Sequence, residues 1–82
     1  MSDKKNNRKV VVGIKQTLRM VEQDCISEVY IARDADFYVT GPVIKAAEAK
    51  GGPVKYVDSK KKLGRMCGIE VGAATAGRMI DL

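Results

Sequence analysis

The spacing of apolar residues changes period several times along this chain, and each change marks an element. Val10, Val11 and Val12 are consecutive, which suits a short strand covered on both faces, and Gly13 ends that run. Ile14, Leu18, Val21 and Cys25 then recur at helical spacing, placing Lys15, Gln16, Arg19 and Glu22 on other faces of an amphipathic helix. A second β-type run, Val29 to Ala32, follows Ser27-Glu28 and stops at the charged turn Arg33-Asp34-Ala35-Asp36. With Thr40 as N-cap and Pro42 in the first turn, Val43 to Lys50 is predicted as a second helix closed by Gly51-Gly52. Pro53 to Val57 alternates as a third strand, and Ser59 caps a short helix that runs to Cys67 and ends at Gly68. After Gly68–Gly72, the small apolar run Ala73 to Ile80 reads as a last strand.

Strands alternating with helices over short connections mean β-α-β units with right-handed crossovers. The predicted fold class is α/β: a three-layer α/β/α sandwich around a four-stranded mixed sheet. At 82 residues the chain has room for one domain with a modest core. That domain is expected over residues 8–82, behind a polar, flexible segment of residues 1–7. Hydrophobic residues at 45% and charged residues at 30% give a balance that folds rather than staying disordered.

Charge narrows the class of partner. Fifteen Lys and Arg against ten Asp and Glu give a net charge of +5 and favour a polyanion, nucleic acid first. Phe37, Tyr30, Tyr38 and Tyr56 are the only aromatic residues, a thin supply for stacking single strands. Cys25 and Cys67 stand far apart with no histidine in the chain, so metal-ligand spacing is missing and two reduced thiols are expected. No apolar run follows the charged start or reaches membrane-spanning length, so a cytoplasmic protein without membrane contact is expected.

Candidate chemistry gathers at places where the sequence violates a local rule. Lys15 stands in the first turn of a helix, where the macrodipole and unpaired N–H groups favour an anion. Lys15 and Arg19 are four residues apart and share a face that Gln16 borders. Cation and amide donors of this kind suit guanine and adenine edges, and a helix start suits phosphate. The alternative is an ordinary solvated face. Lys60, Lys61 and Lys62 repeat the violation at the next basic helix start. Ile69, Glu70 and Val71 form a loop bracketed by glycines, whose two branched side chains either join the core or, if outward, cover unstacked bases. Asp34 and Asp36 could instead hold magnesium for phosphoryl transfer, or simply form and cap turns.

Four stretches in order resemble a known family: GIKQTLR (13–19), RDAD (33–36), YVDSKKKLG (56–64) and CGIEVGAA (67–74). From about Lys9 onward the chain resembles the kink-turn-binding ribosomal proteins of the L7Ae/L30e superfamily, and most of all its small bacterial members. The family motif reads G-x-N-E-x-x-K; aligned on Gly13, its Asn, Glu and Lys positions are Lys15, Gln16 and Arg19 here. This chain departs at all three, exchanging an acid for an amide and adding a cation. The resemblance implies a non-enzymatic protein without cofactor or metal that binds kink-turn RNA, either rRNA or a regulatory mRNA element. It implies contacts to tandem sheared G·A pairs from Gly13, Ile14, Lys15, Gln16 and Arg19. Lys60, Lys61 and Lys62 would flank the RNA backbone, while Ile69, Glu70 and Val71 would cover the bulge with both apolar side chains outward. A monomer is expected. The alternative is a ribosome-associated structural protein that contacts rRNA through a general basic surface.

Overall fold

The computed structural model describes residues 10–80. The expected tail over residues 1–7, and the start of order at Arg8 and Lys9, lie outside the described residues. Seven elements follow in chain order: β1 (Val10–Val12), α1 (Ile14–Glu22), β2 (Ile26–Ala32), α2 (Phe37–Ala49), β3 (Val54–Val57), α3 (Lys60–Met66) and β4 (Thr75–Met79). The strands form one sheet in the order β1-β4-β2-β3. β2 and β3 are parallel, and β4 lies between β1 and β2, antiparallel to both. β1, β2 and β3 therefore all run one way, and each delivers the chain into a helix at the same edge of the sheet.

Side-chain alternation along β2 explains the layers. Val29 and Ile31 face a core completed by Val21 of α1 and Val43, Ile44 and Ala47 of α2. Ala32, with Tyr30 packed beside it, faces the opposite core, built from Leu63 of α3 and Val57, Ala73 and Ala76. The three-layer α/β/α arrangement with a mixed four-stranded sheet is thus as expected. The inner strand β4 carries small residues because both faces are occupied. A side chain on Gly77 would bring its Cβ within 2.7 Å of Ile26 Cδ1 and 3.2 Å of Thr17 Cγ2.

Several boundaries differ from those expected, each for a local reason. α1 stops at Glu22, and Cys25 is not its last apolar position. Asp24 takes φ 59, Asp24 N–H donates to Val21 O at 3.0 Å, and Cys25 N–H donates to Met20 O at 2.9 Å. This is a Schellman ending with Asp24 as the left-handed residue. β2 begins at Ile26, not Val29, across a bulge between Ile26 and Glu28. The second helix starts six residues earlier than its expected Val43, at Phe37. Its N-cap is Asp36, whose carboxylate accepts from Tyr38 N–H at 2.9 Å, whereas Thr40 is buried inside the helix. Pro42 therefore sits well within α2, and the carbonyl that loses its N–H partner is that of Tyr38, a residue 93% exposed. The last strand is shorter than expected, which lengthens the loop before it.

Candidate nucleic-acid interface

Because β1, β2 and β3 share a direction, the starts of α1, α2 and α3 lie along one edge of the sheet, and β4 begins there. Hydrogen bonds tie this edge together. Gly13 N–H donates to Thr75 O at 3.1 Å, Ala32 N–H to Ala74 O at 2.9 Å, Arg33 N–H to Val57 O at 2.8 Å and Ala73 N–H to Lys60 O at 3.0 Å. The four sequence stretches singled out above, scattered along the chain, all reach this edge.

The three helix starts differ in how their unpaired N–H groups are treated. α2 is capped by Asp36. α3 is capped twice: Ser59 Oγ accepts from Lys62 N–H at 3.1 Å, and Asp34 Oδ1 accepts from Lys60 N–H at 2.7 Å. The expected Ser59 cap is present, and Asp34 adds a carboxylate beside the basic first turn. α1 has neither device. Gly13 is its N-cap, no side chain caps it, and no acidic residue stands in its first turn.

Gly13 is favoured there by its backbone conformation. Its φ of 110 belongs to the region that favours glycine. A Cβ at this position would also lie 2.5 Å from Gln16 Oε1, so the glutamine amide packs over the bare backbone. Lys15, Gln16 and Arg19 are exposed and, with Val11 and Met20, border a shallow groove of about 250 Å³. Among the described residues neither Lys15 nor Arg19 forms an ion pair. Ile14 is different: its side chain is half-buried and packs against the core.

The basic start of α3 is partly matched internally. Lys62 Nζ lies 3.9 Å from Asp58 Oδ2. Lys61 and Lys62, with Arg65, border an open groove along α3. Arg65 escaped the sequence reading, although its i,i+4 spacing from Lys61 is the signal that places it on that face.

The glycine-bracketed loop is split in its orientation. Val71 is 70% exposed and Glu70 is exposed, but Ile69 is half-buried and packed against the cluster containing Leu63. The expectation that both apolar side chains point outward holds for Val71 and fails for Ile69. The cause is another Schellman ending: Gly68 takes φ 78, Gly68 N–H donates to Arg65 O at 3.1 Å and Ile69 N–H donates to Gly64 O at 3.0 Å. The residue after the left-handed glycine in this motif tends to fold back onto the helix's last turn.

Asp34 and Asp36 each bind backbone N–H groups of a helix start, which is the turn-and-cap role. Among the described residues no group of three His, Cys, Asp or Glu is placed to hold a metal. No helix among them is long and apolar enough to cross a membrane. Burial raises the Cys67 thiol above its ordinary value, so it stays protonated at neutral pH.

The pattern of the Ribosomal protein L7Ae/L30e/S12e/Gadd45 family matches residues 1–80. The chain belongs to that family, and with that membership the non-enzymatic expectation is borne out. An RNA-binding protein of Caldanaerobacter subterraneus subsp. tengcongensis is 51% identical over 72 residues, 88% of each chain. The RNA-binding protein YbxF of Geobacillus stearothermophilus is 47% identical over 66 residues, 80% of each chain. Among solved structures, the Giardia lamblia 15.5kD RNA binding protein superposes with a TM-score of 0.85 at 29% identity, covering 90% of this chain and 62% of that one. A Bacillus halodurans protein of unknown function, at 22% identity and a TM-score of 0.81 over 89% of this chain and 73% of its own, shares the fold.

Proposed function

We propose that this protein binds RNA, and that it recognises and stabilises a kink-turn through the edge where the three helices begin. The observation that carries the reading is the open start of α1: it is uncapped, lacks an acid, and presents exposed Lys15 and Gln16 with Arg19 one turn on. An RNA docked there supplies the acceptors and negative charge that this end of the helix lacks. Lys15, Gln16 and Arg19 address the G·A pairs, and Val71 with Glu70 stands over the bulge. Ile69 contributes from beneath by fixing the loop, and Lys60, Lys61 and Lys62 flank the backbone. The protein acts as a monomer by selecting the bent form of the RNA and shifting the population toward it. The relatives named as RNA-binding proteins support this class of activity.

The test is a titration at near-physiological salt against a kink-turn RNA and a control in which Watson–Crick pairs replace the sheared G·A pairs. Salt must be held there because phosphate contacts alone bind any RNA when it is low. A strong preference for the kink-turn is expected, with Gln16→Ala and Arg19→Ala each losing about 1–3 kcal/mol of binding. Equal binding to both RNAs sinks the reading. It would favour instead a general rRNA contact through the basic groove of Lys61, Lys62 and Arg65 on α3.

A further inference from the structure

Four aromatic residues are few for base stacking, but the fold collects three of them on one surface. Phe37, Tyr38 and Tyr56 are 75%, 93% and 51% exposed. They border one open groove of about 680 Å³, together with Pro42, Ile44 and Lys45. The guanidinium carbon of Arg33 sits 5.6 Å from the centre of the Tyr56 ring, within cation–π range. Among the described residues, neither Tyr38 nor Tyr56 uses its hydroxyl in a hydrogen bond to the protein; Tyr30 is the tyrosine that does.

Position and charge indicate what covers these rings. Phe37 and Tyr38 open α2, so they lie along the same edge as the starts of α1 and α3. Tyr56 is one residue from the end of β3, and Arg33 N–H is bonded to the carbonyl of Val57 beside it. The groove therefore opens at the same edge as the candidate interface and runs from there along α2. Lys45 and Glu48 balance within its lining, Arg33 adds a cation at the Tyr56 ring, and the nearby Asp36 carboxylate is taken up by Tyr38 N–H. Flat rings backed by a cation suit the π-face and phosphate of a nucleotide, whereas an apolar helix would leave that cation unmatched.

We propose that Phe37, Tyr38 and Tyr56, with Arg33, form a second RNA-contacting surface that stacks unpaired nucleotides flanking the structured element. The inference rests on the reading that an RNA occupies the edge where the helices begin. With the longest dimension of the domain at 37 Å, a short single-stranded extension leaving that edge stays within reach of the groove.

The experiment compares a blunt kink-turn RNA with the same RNA carrying a short unpaired oligouridine tail, at one end and then the other. Both forms are repeated on the Watson–Crick control, and sedimentation of the protein alone is run alongside. For the wild-type protein one tail should tighten binding about thirtyfold, the middle of the range for one base stacked on an aromatic side chain. The Phe37→Ala/Tyr38→Ala double variant should lose that gain while binding blunt RNA within about twofold of wild type; Tyr38→Phe should retain it. These side chains are exposed, so an unchanged thermal midpoint separates lost stacking from lost folding. A tail that gives no gain with either end, or a gain that survives in the double variant, overturns the proposal. Self-association of the wild type that the double variant loses also overturns it, because the groove would then belong to a second copy. If the tail gain persists on both RNAs while kink-turn preference is missing, the stacking surface stands and the kink-turn reading falls.

Discussion

Thr17 offers a direct test of the energetics beneath the α1 start. It is fully buried, and its hydroxyl has no hydrogen-bond partner. Its backbone N–H is satisfied by Gly13 O at 3.0 Å, and its methyl packs over Gly77 of β4. A buried hydroxyl left without a partner costs about 1–3 kcal/mol of desolvation. Thr17→Val exchanges that hydroxyl for a methyl while keeping the β-branched shape. Close packing around Gly77 takes back part of the gain, so the net expectation is a stabilisation of about 1–2 kcal/mol. For a domain of this size that raises Tm by roughly 5–15 °C. Denaturant unfolding at neutral pH, followed by circular dichroism, measures it, with Thr17→Ser as the partner variant. Serine keeps the hydroxyl and loses the methyl, and should be destabilised by about 1 kcal/mol. A Thr17→Val protein weakened by 1 kcal/mol or more would refute the reasoning, because the hydroxyl must then hold a hydrogen bond in solution.

Two further outcomes rest on contacts elsewhere in the fold. Ser59→Ala should destabilise the fold by about 1 kcal/mol through loss of the α3 cap, and Asp34→Ala should do so comparably; chemical denaturation of the singles and the double reads how far the two caps couple. Glu28 lies 2.7 Å from Lys55 Nζ and accepts from Tyr30 Oη at 2.7 Å; the Lys55 hydrogen bond first, then that from Tyr30, holds its carboxyl below its ordinary 4.5. A depressed folded-state value means its stabilisation is present above about pH 4.5 and is lost as pH falls through the folded value. Wild type should therefore exceed Glu28→Gln by a constant margin from pH 5 to 8, and the margin should close below pH 4.5. A margin unchanged down to pH 2 would refute the assignment.

The layers were legible because they rest on period. The 14-18-21 spacing of α1 marks a face turned to the core wherever the sheet lies, so pattern alone places it, whereas the β1 valines, expected to be covered on both faces, are only half-buried because β1 is an edge strand. The helix starts were less legible. Thr40 and Asp36 are both acceptable N-caps by type, and Pro42 argues for the later one, since proline favours a first turn. The choice went to Asp36 because the missing hydrogen bond at Pro42 falls on the exposed side of α2. The loop before β4 was half legible: glycines bracket it, but whether Ile69 turns in depends on a left-handed Gly68 that returns the chain onto α3. The meeting of Asp34 with Lys60 is a contact between residues 26 positions apart, invisible to any local rule.

The uncapped α1 is best understood against its neighbours. The same edge supplies Asp36 to α2 and Ser59 with Asp34 to α3, so capping side chains are not scarce there. Gly13 disfavours one at α1, because its φ of 110 strains any residue with a side chain, and a Cβ there would also displace the Gln16 amide. Glycine instead of a capping side chain costs only a few tenths of a kcal/mol, and Lys15 in the first turn adds about 0.3–1. A total near 1 kcal/mol is small beside the stability of a folded domain, yet it falls on one helix end. A second close approach keeps the other half of the interface in place: a Cβ on Gly64 would collide with the Val71 carbonyl, so that loop lies directly on α3. Strain at α1 and rigidity at the Val71 loop thus flank one edge. On the proposed reading, bound RNA relieves the first and is shaped by the second.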